Sequence, residues 1–216
     1  TILNQLLIKK HDLYSTAALT ELPVGDSKAD FIMINGRGVV YEIKTDLDNL
    51  LRLENQIRDY YKVFSYVYVV VGNKQLPHVR EFLRDKKVGI YELTSNGKLI
   101  CRKKASYNRD NLSYEALFHV LRKAEFESII LKHFNKLPEV NSFQYYRECK
   151  KWLERINIIT LQKDVMKCLK ARTLLMIENK LEETVPYELR FYAYFSKKIN
   201  TNYQDIDKLW NARMEG

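Results

Sequence analysis

The chain has 216 residues, 46% of them hydrophobic and 29% charged, with 36 Lys and Arg against 27 Asp and Glu for a net charge of +9. That length holds one extended domain or two small ones; no apolar run approaches the roughly 20 residues that cross a bilayer, and no secretory pattern opens it, so a cytoplasmic protein without a membrane partner is expected. The three cysteines, Cys101, Cys149 and Cys168, are scattered and form no Cys-x-x-Cys pair, which argues against a disulfide framework or a zinc site.

The first informative segment runs from Ala29 to Lys44. Two apolar, β-branched runs flank Asn35-Gly36, a strong hairpin signal. With Asn35, Gly36 and Arg37 at the tip, paired residue numbers sum to 72, and Asp30 faces Glu42 across the strands. Glu42 and Lys44 then share a polar face with Asp30, while Tyr41 and Ile43 point the other way, into the core. Two carboxylates so close repel unless a cation separates them, which suits a hard divalent ion such as Mg²⁺ or Mn²⁺. Such an ion with a neighbouring lysine points to phosphodiester hydrolysis. The same spacing also occurs as charged protection at the end of an edge strand.

From Asp46 to Phe64, Leu47, Leu50, Leu53, Ile57, Tyr60 and Phe64 recur at steps of three and four, predicting an amphipathic helix capped by Thr45 or Asp46, with Asp48 in its first turn. Arg52, Gln56 and Tyr60 form one stripe along it. Arg52 can hold a phosphate or a carboxylate ligand, or pair with Asp48 on the surface. Tyr66 to Val71 is predicted as a strand, followed by a helix over Leu76 to Lys86 and a strand over Val88 to Leu93.

This order, with the run Glu-Ile-Lys-Thr-Asp-x-Asp-x-x-x-Arg-Leu-x-x-Gln-x-x-x-Tyr from Glu42 to Tyr60, resembles the PD-(D/E)XK nuclease superfamily. It is similar to a small, largely uncharacterised bacterial and phage branch of it. The resemblance covers roughly residues 5 to 95 and implies an α/β fold with a restriction-endonuclease-like αβββαβ core and a mixed central sheet. It further implies that Asp30 and Glu42 bind the metal, and that Lys44, Gln56 and Tyr60 complete the catalytic set. Ala29 stands where the family's name-giving proline would be. Glu21 is the candidate for an additional acidic ligand, as in branches resembling archaeal junction resolvases, or a solvated carboxylate at the end of an element.

Beyond residue 100 the character changes. Cys101 to Asn111 is polar and basic, so residues 1–100 are expected to form the nuclease-like domain, 101–112 a linker or a loop over the site, and 113–216 a helical domain. Predicted helices run from Ser113 to Phe134, Ser142 to Ile156, Thr160 to Ile177 and Pro186 to Ile199, with a short one from Asp205 to Met214. Residues 1–100 hold 14 Lys and Arg against 12 Asp and Glu, leaving 22 against 15 for the rest, so the basic excess lies in the second half. A cationic surface suits a polyanion. DNA is the expected partner, RNA being left open, with Arg52, Arg102, Lys103 and Lys104 as candidate phosphate contacts and the helical region as a surface for a homodimer or protein partner. Tyr145-Tyr146-Arg147, Lys150-Lys151-Trp152 and Arg190-Phe191-Tyr192 mix aromatics with cations, as base-stacking surfaces and packed bundles both do. The four histidines are dispersed, so carboxylates, lysine and metal are expected to carry the chemistry. The competing expectation is a catalytically inactive nucleic-acid-binding or adaptor protein on the same fold.

Overall fold

The computed structural model describes residues 16–174. Its centre is one six-stranded sheet in the order β1-β2-β3-β4-β5-β6: β1 (Ala17–Val24), β2 (Ser27–Asn35), β3 (Arg37–Lys44), β4 (Tyr66–Gly72), β5 (Gly89–Leu93) and β6 (Leu99–Lys103). β1, β2 and β3 form an antiparallel meander, β3–β4 and β4–β5 pair in parallel, and β6 returns antiparallel at the far edge. A parallel neighbour needs a crossover, which α1 (Leu53–Tyr61) supplies between β3 and β4 and α2 (Leu76–Phe82) between β4 and β5. The β2–β3 register pairs Phe31 with Tyr41 and Asn35 with Arg37, the sum of 72 expected from the Asn35-Gly36-Arg37 tip. Gly36 sits at φ 68°, a conformation that glycine adopts without steric cost.

One expectation about the faces of β3 is reversed. Glu42 lies on the same face as Val40, the face covered by α1 and the main core, whereas Tyr41 is buried on the opposite face beside Phe31, Tyr68 and Tyr91. β3 is a central strand buried on both sides, so apolar residues no longer mark a single inner face. The predicted helix over Asp46 to Phe64 also shrinks to Leu53–Tyr61. Asp48 accepts from the Thr45 N–H (2.6 Å) and hydroxyl (2.7 Å), and Asn49 accepts from the Leu51 N–H (3.2 Å). These side chains outcompete the helix for backbone donors and hold residues 45–52 in turns, so neither Thr45 nor Asp46 caps the helix. Leu47 and Leu51 are left 97% and 84% exposed on that loop.

The stretch expected as a linker or loop, residues 101–112, begins inside the sheet. Leu99–Lys103 is strand β6, and the following segment is tied down by the buried Asn108, whose amide donates to the carbonyls of Tyr61 (2.8 Å) and Phe64 (3.3 Å). The helical part is α3 (Tyr114–His119), α4 (Lys123–Phe134), α5 (Ser142–Glu154) and α6 (Ile158–Leu174). The single helix expected over Ser113 to Phe134 breaks at residues 120–122, where Glu125 accepts from the Arg122 N–H (2.7 Å) and starts a new helix. α6 lies against β1, β2 and β3. Gln162 on it donates to the Val63 carbonyl (2.8 Å), and one hydrophobic cluster runs from Ala17 in the sheet to Leu169 in α6. Close approach here depends on Gly38, because a Cβ at that position would meet Met166 Sδ at 2.5 Å and Phe64 Cδ1 at 2.6 Å.

The helices expected over Pro186 to Ile199 and Asp205 to Met214, the end of the one predicted to Ile177, and the helix that the family core places before the meander lie outside the described residues. So does Arg190-Phe191-Tyr192. In the other aromatic and cationic runs the Tyr145 hydroxyl donates to Glu127 (2.6 Å) and Trp152 meets Phe134 edge-on beneath Arg155, while Tyr146, Arg147 and Lys151 are exposed. Among the described residues no helix is long and apolar enough to cross a membrane.

Two measurements check this packing. Gly38→Val is expected to cost about 1–3 kcal/mol by overpacking, read as a lowered urea midpoint at unchanged slope; a variant as stable as the parent would refute the close approach of α6. Asp164, 4% exposed on α6, accepts from Lys132 and from His133 (2.7 Å). Burial alone would raise its carboxyl, but those two hydrogen bonds outweigh it and hold the group below the usual range. A depressed folded-state pKa contributes stability above the unfolded value, and the contribution disappears as pH falls through the folded one. Asp164→Asn should therefore be destabilised by about 1–2 kcal/mol at neutral pH, with the gap to wild type closing below pH ~4.

Candidate functional site

The β2–β3 ladder stops at Phe31–Tyr41, although β2 continues to pair with β1 as far as Ser27–Val24. Beyond that point the Ile43 N–H is met by the Asp30 carboxylate, with Oδ2 at 2.8 Å, in place of a backbone carbonyl. The strands part there, and the charged residues occupy the opening.

Glu42 lies at its base, 1% exposed. Its Oε1 accepts from the Lys44 ammonium at 2.7 Å and the Gln56 amide at 2.6 Å; its Oε2 accepts from the Tyr60 hydroxyl at 2.6 Å. Lys44 also donates to Gln56 Oε1 at 2.9 Å, closing a ring of three side chains. The Tyr60 oxygen has the Lys28 carbonyl of β2 within 2.9 Å as a second acceptor. A buried carboxylate is tolerated only when paired and hydrogen-bonded, and here the donors come from β3 and from two successive turns of α1.

Burial is the largest influence on both acids. It pushes the Glu42 carboxyl up against the opposing pull of Lys44 and Tyr60, and the Asp30 charge pushes it further. Burial also raises Asp30, partly countered by the Ile43 N–H and Lys44, while Glu21 and Asp48 add to the rise. The Tyr60 hydroxyl is raised far above its ordinary range by burial and by its bond to Glu42. The Lys44 ammonium, 10% exposed, is the cation paired with Glu42 at this centre.

Five residues expected to act together are therefore gathered in one place: Asp30, Glu42, Lys44, Gln56 and Tyr60. Glu21 is placed differently. The register sets it level with Asp30 on the adjoining strand, at φ 56°, but its carboxylate pairs with Lys28. Among the described residues no group of three His, Cys, Asp or Glu side chains converges as a metal cage. Arg52 is the N-cap residue of α1, exposed one turn before Gln56; Asp48, its expected surface partner, is held by Thr45 instead.

The other expected phosphate contacts lie on or beside β6, at the far edge of the sheet. Arg102 donates to Glu92 at 2.6 Å. Lys103 donates to the carbonyls of Leu83, Arg84 (3.1 Å) and Lys86 (2.7 Å), closing the end of α2. Lys104 is exposed. Two of the three cations at 102–104 are thus paired with groups of the chain itself. The Lys28 carbonyl beside Tyr60 carried no signal in the sequence, because a backbone acceptor is created by strand geometry alone.

The described chain is a mixed α/β protein with this charged centre at the mouth of its central strands. Residues 1–184 match the family of bacteriophage P4 protein cII, and the chain belongs to that phage-associated family. Two solved structures show weak likeness. One is a protein of unknown function from Silicibacter pomeroyi, 10% identical, covering 60% of this chain and 88% of its own with a TM-score of 0.37. The other is Pyrococcus furiosus SfsA in complex with Ca²⁺, 16% identical, covering 49% of this chain and 59% of its own with a TM-score of 0.30. No curated protein matches.

Tyr60→Phe removes one of the three side-chain donors to a buried carboxylate. The expected loss is about 1–2 kcal/mol, measured by denaturant unfolding; an unchanged midpoint would mean that the hydroxyl does not hold Glu42.

Proposed function

We propose that the protein is a metal-dependent nuclease that hydrolyses phosphodiester bonds, with DNA as its substrate, on a PD-(D/E)XK-like core. The observation that carries the reading is the convergence of Asp30, Glu42 and Lys44 where the β2–β3 ladder splits, backed by Gln56 and Tyr60. The meander, helix, strand order from β1 to β4 supports it as well.

The donor set fits a hard divalent cation. Both acids are raised by burial, and Glu42 is raised again by the charge of Asp30, so a cation between them would relieve the strain. Asp30 and Glu42 would hold Mg²⁺ or Mn²⁺, which when bound supplies an activated water and neutralises phosphate charge. The chain's own groups do the rest. The Lys44 ammonium, released from Glu42, is placed to steady negative charge growing on the phosphate. Gln56 and Tyr60 fix the two Glu42 oxygens, so the carboxylate cannot rotate as the proton load changes. Arg52, exposed at the start of α1, can approach a substrate phosphate.

A second reading is a nucleic-acid-binding or adaptor protein without catalysis. It is favoured by one observation: both Glu42 oxygens are already satisfied by protein donors.

Incubation with supercoiled, linear, single-stranded and branched DNA, and with RNA, in Mg²⁺ or Mn²⁺ separates the two. The wild type is expected to cleave DNA and to be silenced by chelation, with Glu42→Ala and Lys44→Ala slowed at least ~100-fold, as loss of a group acting on the charged transition state entails. If the wild type cleaves nothing while it still retains DNA, the adaptor reading replaces this one; if the variants cleave as well as the wild type, the site is misassigned.

A further inference from the structure

The other end of β3 carries a second feature that the hydrolytic centre does not use. A cleft of about 550 Å³ opens between the hairpin tip at Gly36 and Arg37, the start of β4 at Ser65 and Tyr66, Tyr107, and the first turns of α6 at Ile159, Gln162, Lys163 and Met166. Arg37 lies five residues before Glu42, roughly 16 Å along the strand, so the cleft is separate from the carboxylates. Its size suits a small organic molecule better than a simple inorganic ion.

Its walls combine two kinds of group. Arg37 donates to the Tyr66 hydroxyl at 2.8 Å and lies 5.8 and 5.9 Å from the ring centres of Tyr66 and Tyr107. That bond uses one of the five guanidinium donors. Lys163 is exposed on the opposite wall, and among the described residues neither cation has a carboxylate partner. Tyr107 is 43% exposed, and the two tyrosine rings are tilted by 53°, so they do not stack on each other and a face stays open. Cations alone would select any anion; cations beside an open aromatic face select an anion that carries a planar ring.

We propose that this cleft binds a nucleotide, its phosphate held by Arg37 and Lys163 and its base laid on Tyr107. The shared chemistry comes from two sources, a free nucleoside triphosphate or one unit of a single strand. The inference goes beyond the hydrolytic reading and does not depend on it.

The test is binding measured with chelator present, so that no hydrolysis intervenes, using fluorescent dATP in one arm and fluorescein-labelled oligothymidylate in the other. One or both probes are expected to bind. Lys163→Glu and Arg37→Ala should each weaken binding at least ~10-fold, and Tyr107→Ala roughly fivefold or more. Lys167→Ala, an exposed lysine one turn further along α6, should leave it unchanged. Binding of dATP alone identifies a small-molecule site, and binding of the oligonucleotide alone a strand contact. The proposal is overturned if neither probe binds, if Lys163→Glu and Tyr107→Ala bind as wild type, or if Lys167→Ala loses as much as Lys163→Glu. Because no divalent ion is present, failure of cleavage elsewhere has no bearing on the outcome.

Discussion

A carboxylate buried in an otherwise apolar seam needs donors, and satisfying Glu42 fixes much of what surrounds it. Val40 and Val69 pack in the same layer, fully buried, so water cannot supply the missing hydrogen bonds. Lys44 is near because it is two residues along the same strand, but Gln56 and Tyr60 reach Glu42 only if α1 crosses the sheet at one height and in one rotation. A single turn of slippage would strand a buried charge, a cost of several kcal/mol. The side-chain turns of residues 45–52 deliver the chain to that position, and for this reason the helix begins at Leu53 and not at Asp46.

The same requirement shapes the electrostatics. Asp30 replaces a ladder acceptor for Ile43, which parts β2 from β3 and admits a second acid beside Glu42. Burial then raises both groups, while the Lys44 ammonium pulls each of them back down. An ordinary structural ion pair would be one acid to one base. Here two acids meet one base at the edge of an opening.

The helices are an extension of the sheet's core. Gln162 satisfies a carbonyl at the end of α1, Asn108 satisfies two more, and Arg172 joins α6 to Glu125 and to the Val120 carbonyl. Through these contacts α6 rests on the meander and brings Lys163 to the tip of the β2–β3 hairpin. The two ends of β3 consequently carry opposite characters, acidic at Glu42 and cationic at Arg37, along one rigid strand.

Local patterns determined the hairpin and its register, because Asn35-Gly36 between alternating runs leaves few other turns, and they determined the Gln56–Tyr60 spacing that aligns two side chains on one helical face. They also marked Asp30, Glu42 and Lys44 as a group. The inward face of Glu42 was not legible, since a central strand covered on both sides has no apolar alternation to read. Nor was β6: Arg102 and Lys103 look like a solvated basic loop until Glu92 and the carbonyls ending α2 are brought beside them. Arg37 and Lys163 are 126 positions apart and carry no shared pattern. Sequence could settle what neighbours along the chain impose on each other; only the tertiary structure could decide which distant donors complete a buried charge, because that depends on where α1 and α6 cross the sheet.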